Sequence, residues 1–285
     1  MSIFDFFSEV PTITADAVRM AMTENGEPEF QLDDVRQLSE YAEKHIPGAQ
    51  LIQLGDLQES TAELDKSRPV ILYCASGNRS RTAVSILMNE GFTRVYSMDG
   101  GIRAWDGFTA GGPPEFGMIL FSSAVSTADH IAVSWVLEEG TRRFYEILAE
   151  TVSDSSVASV YRMLSAVEQK HKDMLADAYR RLETAERSNH SWAALPFPPP
   201  LDDSEALLEN IIHVSEAVQW CAGRPLSDVL EYAMAMEAQL MDLYTRISHT
   251  RADSELSNFF LSMAAEEKFH YTKFAKLREA VSGAY

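Results

Sequence analysis

The feature that most narrows what this 285-residue chain can fold into is a repeat of chemistry in its second half. Glu138 recurs as Glu237, Tyr145 as Tyr244, Glu168 as Glu267 and His171 as His270, every pair 99 positions apart. Self-similarity at one fixed offset means a single supersecondary unit used twice. Glu and His at i and i+3 share a helix face and can reach one ion. A seven-residue step is nearly two turns, so Tyr145 shares a face with Glu138, and Tyr244 with Glu237. Two helices giving one Glu each and two giving Glu-x-x-His are a known template for a dinuclear carboxylate site inside a bundle. Four carboxylates balance two divalent ions, which makes burial of the cluster tolerable. The predicted metal ligands are therefore Glu138, Glu168, His171, Glu237, Glu267 and His270, with Tyr145 and Tyr244 beside them. One Glu-x-x-His alone would read as solvated helix surface. The apolar runs Trp135-Val136-Leu137 and Met234-Ala235-Met236 before the ligands, and the identical register of both copies, point inward instead.

Around this repeat the patterning predicts helices at about 127–150, 154–186, 204–220, 226–249 and 252–281. The segment 191–203, with Pro196 and Pro198-Pro199-Pro200, cannot be helical throughout. Residues 1–108 read differently. Val70-Ile71-Leu72-Tyr73 and Arg94-Val95-Tyr96-Ser97-Met98 are strand candidates, and Ser80 to Asn89 is a helix candidate that stops before Gly91. Strand, helix and strand within about 30 residues suggest a βαβ unit and a parallel sheet. Gly111-Gly112-Pro113-Pro114 ends that pattern. The expected organisation is an α/β domain at 1–108, a linker at 109–126 and an all-α bundle at 127–285.

Cys74 directly follows the first strand and opens Cys74-Ala75-Ser76-Gly77-Asn78-Arg79-Ser80-Arg81, which leads into the helix. Small residues let such a loop curl so that successive N–H groups point inward at a helix N-terminus, an anion nest. A sulfur placed there has its thiolate stabilised, and its pKa falls below the free value of about 8.5. Arg79 and Arg81 add donors for an oxyanion. Cys74 and Arg79 are the predicted catalytic pair, with Ala75, Ser76, Gly77, Asn78 and Arg81 lining the substrate loop. An isolated cysteine would read as a buried, inert thiol, and that is the expectation for Cys221 beside Trp220.

Residues from about 11 to 108 resemble a single rhodanese domain. The resemblance rests on Asp34-Val35-Arg36, on His45-Ile46-Pro47-Gly48-Ala49 and on the closing Gly100-Gly101-Ile102-Arg103-Ala104-Trp105, in order and at the family's spacing. It implies that Cys74 accepts a sulfane sulfur as a persulfide and passes it to a nucleophile. The six-residue loop from Cys74 to Arg79 is similar to that of sulfur-handling members, whereas related phosphatases carry one residue more. Asp34, Arg36 and His45 are expected to be architectural. Residues 127–281 resemble the rubrerythrin branch of the ferritin-like superfamily, which implies a cofactor of two iron ions, with manganese also suited to these donors, reacting with peroxide or oxygen. Two departures stand out. The one-turn neighbours of Glu237 are Ala233, Met234, Leu240 and Met241, none able to supply the further carboxylate of rubrerythrins proper. No CxxC pair exists to build a rubredoxin module, so an external electron donor is expected.

Composition closes the remaining classes. With 24 Lys+Arg against 43 Asp+Glu, the formal charge of −19 argues against nucleic acid or an anionic membrane surface as partner. Two cysteines cannot build a disulfide framework, and no apolar run approaches the roughly 20 residues of a membrane span. The acidic start MSIFDFFSEVPTITAD lacks the basic beginning of a secretory signal, so the expected location is the cytoplasm. The sequence thus predicts a bifunctional protein, a sulfurtransferase using thiosulfate or a persulfide as donor, fused to a di-iron oxidase or peroxidase. It forms a homodimer or higher homo-oligomer in this reading. The alternative is an iron-binding or storage protein with a sulfur-supplying or sulfur-sensing domain.

Overall fold

The computed structural model describes residues 10–22, 30–121, 126–182, 206–208, 212–249 and 254–282. By compactness the chain forms two units: Met1–Phe116 together with Met241–Glu267, and Gly117–Leu240 together with Lys268–Tyr285.

The first unit is built on five parallel strands, β1 (Thr12–Ile13), β2 (Gln31–Asp34), β3 (Gln50–Leu51), β4 (Val70–Tyr73) and β5 (Val95–Met98), in the order β1-β5-β4-β2-β3. Helices α1 (Ala15–Ala21), α2 (Leu38–Glu43) and α3 (Asn78–Asn89) connect them. A central strand of a parallel sheet is covered on both faces, so it reads as a continuous apolar run. β4 does so: Val70 and Leu72 join Val35, Ala83, Val84 and Leu87 on one face, while Ile71 and Tyr73 join Ile46, Met98 and Ile102 on the other. The predicted strands at 70–73 and 94–98 and the helix ahead of Gly91 are all present, and Gly91 has the left-handed φ of 89° expected just past a helix end.

The motifs named for their resemblance order the loops of this unit. Arg36 donates from Nε and Nη2 to the buried Asp34 carboxylate, at 2.6–2.9 Å, and from Nη2 to the Lys44 carbonyl at 2.6 Å. The His45 ring stacks on Tyr41 at 3.7 Å, and its Nδ1 meets the Tyr41 carbonyl. Its Nε2 stands 3.4 Å from Asp242, which also accepts from the Gly48 N–H and from Arg246. Arg246 donates onward to the carbonyls of Pro114 and Phe116. Burial would raise the Asp242 carboxyl, yet these donors hold it below its ordinary value. The His-Ile-Pro-Gly-Ala turn is therefore fixed from the segment Met241–Glu267, a partner nearly 200 residues away in sequence.

The second unit is helical. Its α4 (Thr127–Thr151) begins at a reciprocal cap between Ser126 and Asp129, and α5 (Ser155–Arg181) begins at Asp154, which accepts from Ser156 and Val157. Each cap satisfies N–H groups that have no partner within the helix and contributes about 1 kcal/mol. The connection Val152–Asp154 is so short that α4 and α5 must run antiparallel. α6 (Val214–Cys221) follows, and α7 (Leu226–His249) and α8 (Ser254–Ser282) contribute to both units. Phe144, Leu148, Tyr161, Leu164, Val229, Leu230, Met236 and Phe274 form the core here.

The predicted helix at 204–220 is corrected. Among the described residues, Ala206–Leu208 lies antiparallel to Ile212–Val214, through Leu208 N–H to Ile212 O and Val214 N–H to Ala206 O, both at 2.9 Å. Helix begins only at Val214. The cause is tertiary. Gly140 presents bare backbone to this segment, and a Cβ there would lie 1.9 Å from the Leu207 carbonyl oxygen. The part of the predicted second helix beyond Leu182 and the proline-rich connection lie outside the described residues.

Candidate functional site

Two sites take shape, one from backbone and one from side chains. Cys74 follows β4 at the carboxyl edge of the sheet, where parallel α/β folds hold their ligands. Its side chain is almost wholly buried. The loop turns back through Gly77, with φ at 96°, and α3 starts at Asn78. The Gly77 N–H donates to Sγ at 3.1 Å, and the Ser80 hydroxyl stands 3.7 Å from it. Burial alone would raise the thiol. The N–H groups of Ser80, Ser76 and Gly77, together with the Ser80 hydroxyl, outweigh burial and bring Cys74 below its ordinary value. An anion nest at a helix N-terminus is thus realised in the geometry.

Gly101 backs this loop. A Cβ there would lie 2.2 Å from the Cys74 carbonyl oxygen, and the Gly101 φ of 57° is itself left-handed. That close approach lets the Ile102 N–H bond the Cys74 carbonyl at 2.8 Å and the Arg103 N–H bond that of Ala75 at 3.3 Å. The Ser80 hydroxyl is shared with Gly77 O and with Ser97 Oγ, 2.8 Å away. Ser80 and Gly101 were not singled out as functional from the sequence; a hydroxyl three residues into the helix and the second glycine of the Gly-Gly pair were the available signals.

The two arginines of the loop are engaged with carboxylates. Arg79 makes a two-pronged bond to Glu40, Nη1 to Oε2 at 2.6 Å and Nη2 to Oε1 at 2.7 Å, and this bond takes the Glu40 carboxyl down to about 2. Arg81 reaches Asp99 at 3.1 Å in an exposed pair. Of the remaining loop residues, Ala75 is half-buried, Gly77 is buried, and Ser76 and Asn78 are exposed. One strand away, Asp33 is buried with its Oδ2 unpartnered among the described residues, and burial, followed by the neighbouring Asp34 charge, pushes it up to about 8.

In the helical unit, Glu138 of α4 meets Glu168 and His171 of α5. His171 Nδ1 lies 2.9 Å from Glu138 Oε2 and 3.5 Å from Glu168 Oε2. One ligand atom from each of the three residues falls within 4.8 Å of the others, and all three residues are buried. The His171 and His270 rings are 4.6 Å apart. Glu237 of α7 and Glu267 of α8 are also buried, and Glu267 lies one turn from His270 on the same helix face. Tyr145 and Tyr244 are fully buried. Oxygen and imidazole donors without thiolate suit iron or manganese. Two carboxylates and an imidazole converging in an apolar core are costly unless a cation compensates them. The residues present fit a metal ion. Cys221 is buried at the end of α6, and burial pushes its thiol up to about 11, which suits a structural role.

No helix of the described residues is long and apolar enough to cross a membrane. A family model for the rhodanese-like domain matches residues 15–107, and one for rubrerythrin matches residues 129–278. Thiosulfate sulfurtransferase GlpE of Pseudomonas fluorescens is 34% identical over 35% of this chain and 84% of its own length. GlpE of Coxiella burnetii is 39% identical over 25% of this chain and 67% of its own. The putative sulfur carrier protein YrkF of Bacillus subtilis is 31% identical over 36% of this chain, which spans about half (54%) of that relative. Among solved structures, the rhodanese-like domain of an Anabaena protein is 34% identical over 35% of this chain and 79% of that chain, with a TM-score of 0.33. The chain accordingly belongs to the rubrerythrin family and carries a rhodanese-like domain ahead of its rubrerythrin domain.

Proposed function

We propose that this protein joins two chemistries: sulfane-sulfur transfer on Cys74 and reaction of peroxide or oxygen at a dinuclear iron site. The observation that carries the first is the Cys74 sulfur, buried yet held as the more acidic thiol by N–H donors of its own loop. In this reading the thiolate attacks the outer sulfur of a donor such as thiosulfate or a persulfide. A sulfur–sulfur bond forms on Cys74 as the donor's sulfur–sulfur bond breaks, and sulfite or the donor thiolate leaves with the electron pair. A nucleophile then takes the terminal sulfur and restores the thiolate. The nest that stabilises the thiolate serves the persulfide anion equally. Arg79, held by Glu40, and Arg81, held by Asp99, are in this reading the N–H donors nearest in sequence for an anionic sulfur source.

For the second chemistry, Glu138, Glu168, His171, Glu237, Glu267 and His270 would hold two iron ions, which supply redox chemistry toward peroxide or oxygen when bound. The chain's own contribution is to bury these groups and exclude bulk water. Tyr145 and Tyr244, fully buried at the spacing of two turns from Glu138 and Glu237, would orient ligands in this reading. Electrons come from an external donor in this reading, the protein works in the cytoplasm, and copies of the chain associate.

The test is paired. Thiosulfate:cyanide sulfur transfer should fall to background in Cys74→Ser with metal content unchanged. Retained transfer would overturn the nucleophile, and fewer than two metal ions per wild-type chain would overturn the dinuclear site.

A further inference from the structure

Thr141 is fully buried, and its hydroxyl has no hydrogen-bond partner among the described residues. A threonine inside a helix ordinarily satisfies that hydroxyl on the carbonyl four residues back. Ser85, Ser134, Thr151, Thr245 and Thr272 all do so here. Thr141 does not, and an unsatisfied buried hydroxyl is destabilising.

Its position says what the hydroxyl is for. Ser134, Glu138, Thr141 and Tyr145 lie at i−4, i, i+3 and i+7, one stripe along α4, and all four are fully buried. Because α4 and α5 run antiparallel and Glu138 meets His171, a step of one turn from Glu138 to Thr141 is matched by a step back from His171 to Glu168. Thr141 therefore stands level with Glu168, beside the cluster of Glu138, Glu168 and His171. The repeat breaks here. The residue 99 positions on is Leu240, buried and apolar. At this position of the repeat the first copy carries a hydroxyl and the second an apolar side chain.

Resting on the dinuclear reading above, we infer that Thr141 is a ligand-positioning residue: its hydroxyl donates to a small exogenous anion, of the hydroperoxide or azide class, bound at the metal site on the α4 side. The hydroxyl's missing partner is then the ligand itself, and Leu240 makes the opposite side unreceptive.

The test uses the full-length chain, iron-loaded and air-oxidised, titrated with azide and followed by the azide-to-iron charge-transfer band. Metal content and the thermal midpoint of the metal-free protein are measured alongside. Thr141→Val should weaken azide about tenfold, the loss of one hydrogen bond to a charged group. Metal content should stay the same, and the metal-free midpoint should be equal or higher because the unsatisfied hydroxyl is gone. Thr141→Ser should bind azide within about twofold of wild type, a small part of the factor of ten that one such bond supplies. Equal azide affinity in Thr141→Val would overturn the inference alone, as would loss of metal or a lowered midpoint in that variant, which would make Thr141 structural. A wild-type chain that holds no metal would overturn the dinuclear reading, and this inference with it.

Discussion

The Cys74 loop and the carboxylate–histidine cluster solve one problem, a buried negative charge, in opposite ways. At Cys74 the fold brings the compensation itself, as N–H groups of a tight loop and a serine hydroxyl aimed at one sulfur. In the helical unit, buried carboxylates and an imidazole converge in a group that could hold a metal ion, and in the proposed reading their compensation arrives as a cation. The first site draws its compensation from the chain itself, whereas the second, as proposed, draws it from a metal. Backbone donors cannot leave the first site, whereas a metal ion at the second, in the proposed reading, can be removed.

Asp33 bears hardest on this comparison, because it is a buried acid with one carboxylate oxygen unpartnered among the described residues and a second carboxylate, Asp34, beside it. Its folded-state value of about 8 lies above the unfolded value of about 3.9, so folding favours the protonated form. The associated stability is fully present below about pH 4 and is lost as pH rises through about 8, on the order of several kcal/mol in all. Chemical denaturation at a series of pH values should show that decline in wild type and a flatter profile in Asp33→Asn. Identical slopes would mean that Asp33 is compensated after all. Next in size is Gly101→Ala, which places a methyl against the Cys74 carbonyl at a left-handed φ. Backbone strain alone costs roughly 1–3 kcal/mol, and sulfur transfer should fall with it; wild-type transfer would show that the loop does not depend on its glycine backing.

A smaller effect tests the nest directly. The alkylation rate of Cys74 with iodoacetamide should rise with a midpoint below the roughly 8.5 of a free thiol. A midpoint above it would mean that burial outweighs the N–H donors. The least effect is expected from Glu40→Gln. The Arg79–Glu40 side chains are about a third exposed, and a pair of that kind contributes about 0.2–1 kcal/mol. Its folding stability should change little, and a loss of several kcal/mol would make the pair a structural clamp.

How much the sequence disclosed follows the same division. The convergence of Glu138, Glu168 and His171 and the burial of Glu237, Glu267, His270, Tyr145 and Tyr244 were legible because a helix turns any spacing of three, four or seven into a shared face, and the repeat supplied the check. The Cys74 nest was legible because its donors are contiguous with it. What was not legible depends on distant chain segments: Glu40 capturing Arg79 from 39 residues away, Gly101 filling in behind Cys74, Asp242 holding the His45 turn, and Leu207 laid over Gly140 where a helix was expected. Each is a packing decision with no local signature. The hydroxyl of Thr141 belongs with them, since nothing in its spacing tells whether it bonds its own helix.

The central claim, two self-standing chemistries with compensation built in at one and brought by metal at the other, is tested most directly in one preparation of Glu168→Ala/Glu267→Ala. Metal content and thiosulfate:cyanide transfer are measured on the same sample. The account predicts metal lost and sulfur transfer retained at the wild-type rate; metal retained, or both properties lost together in a folded protein, would contradict it.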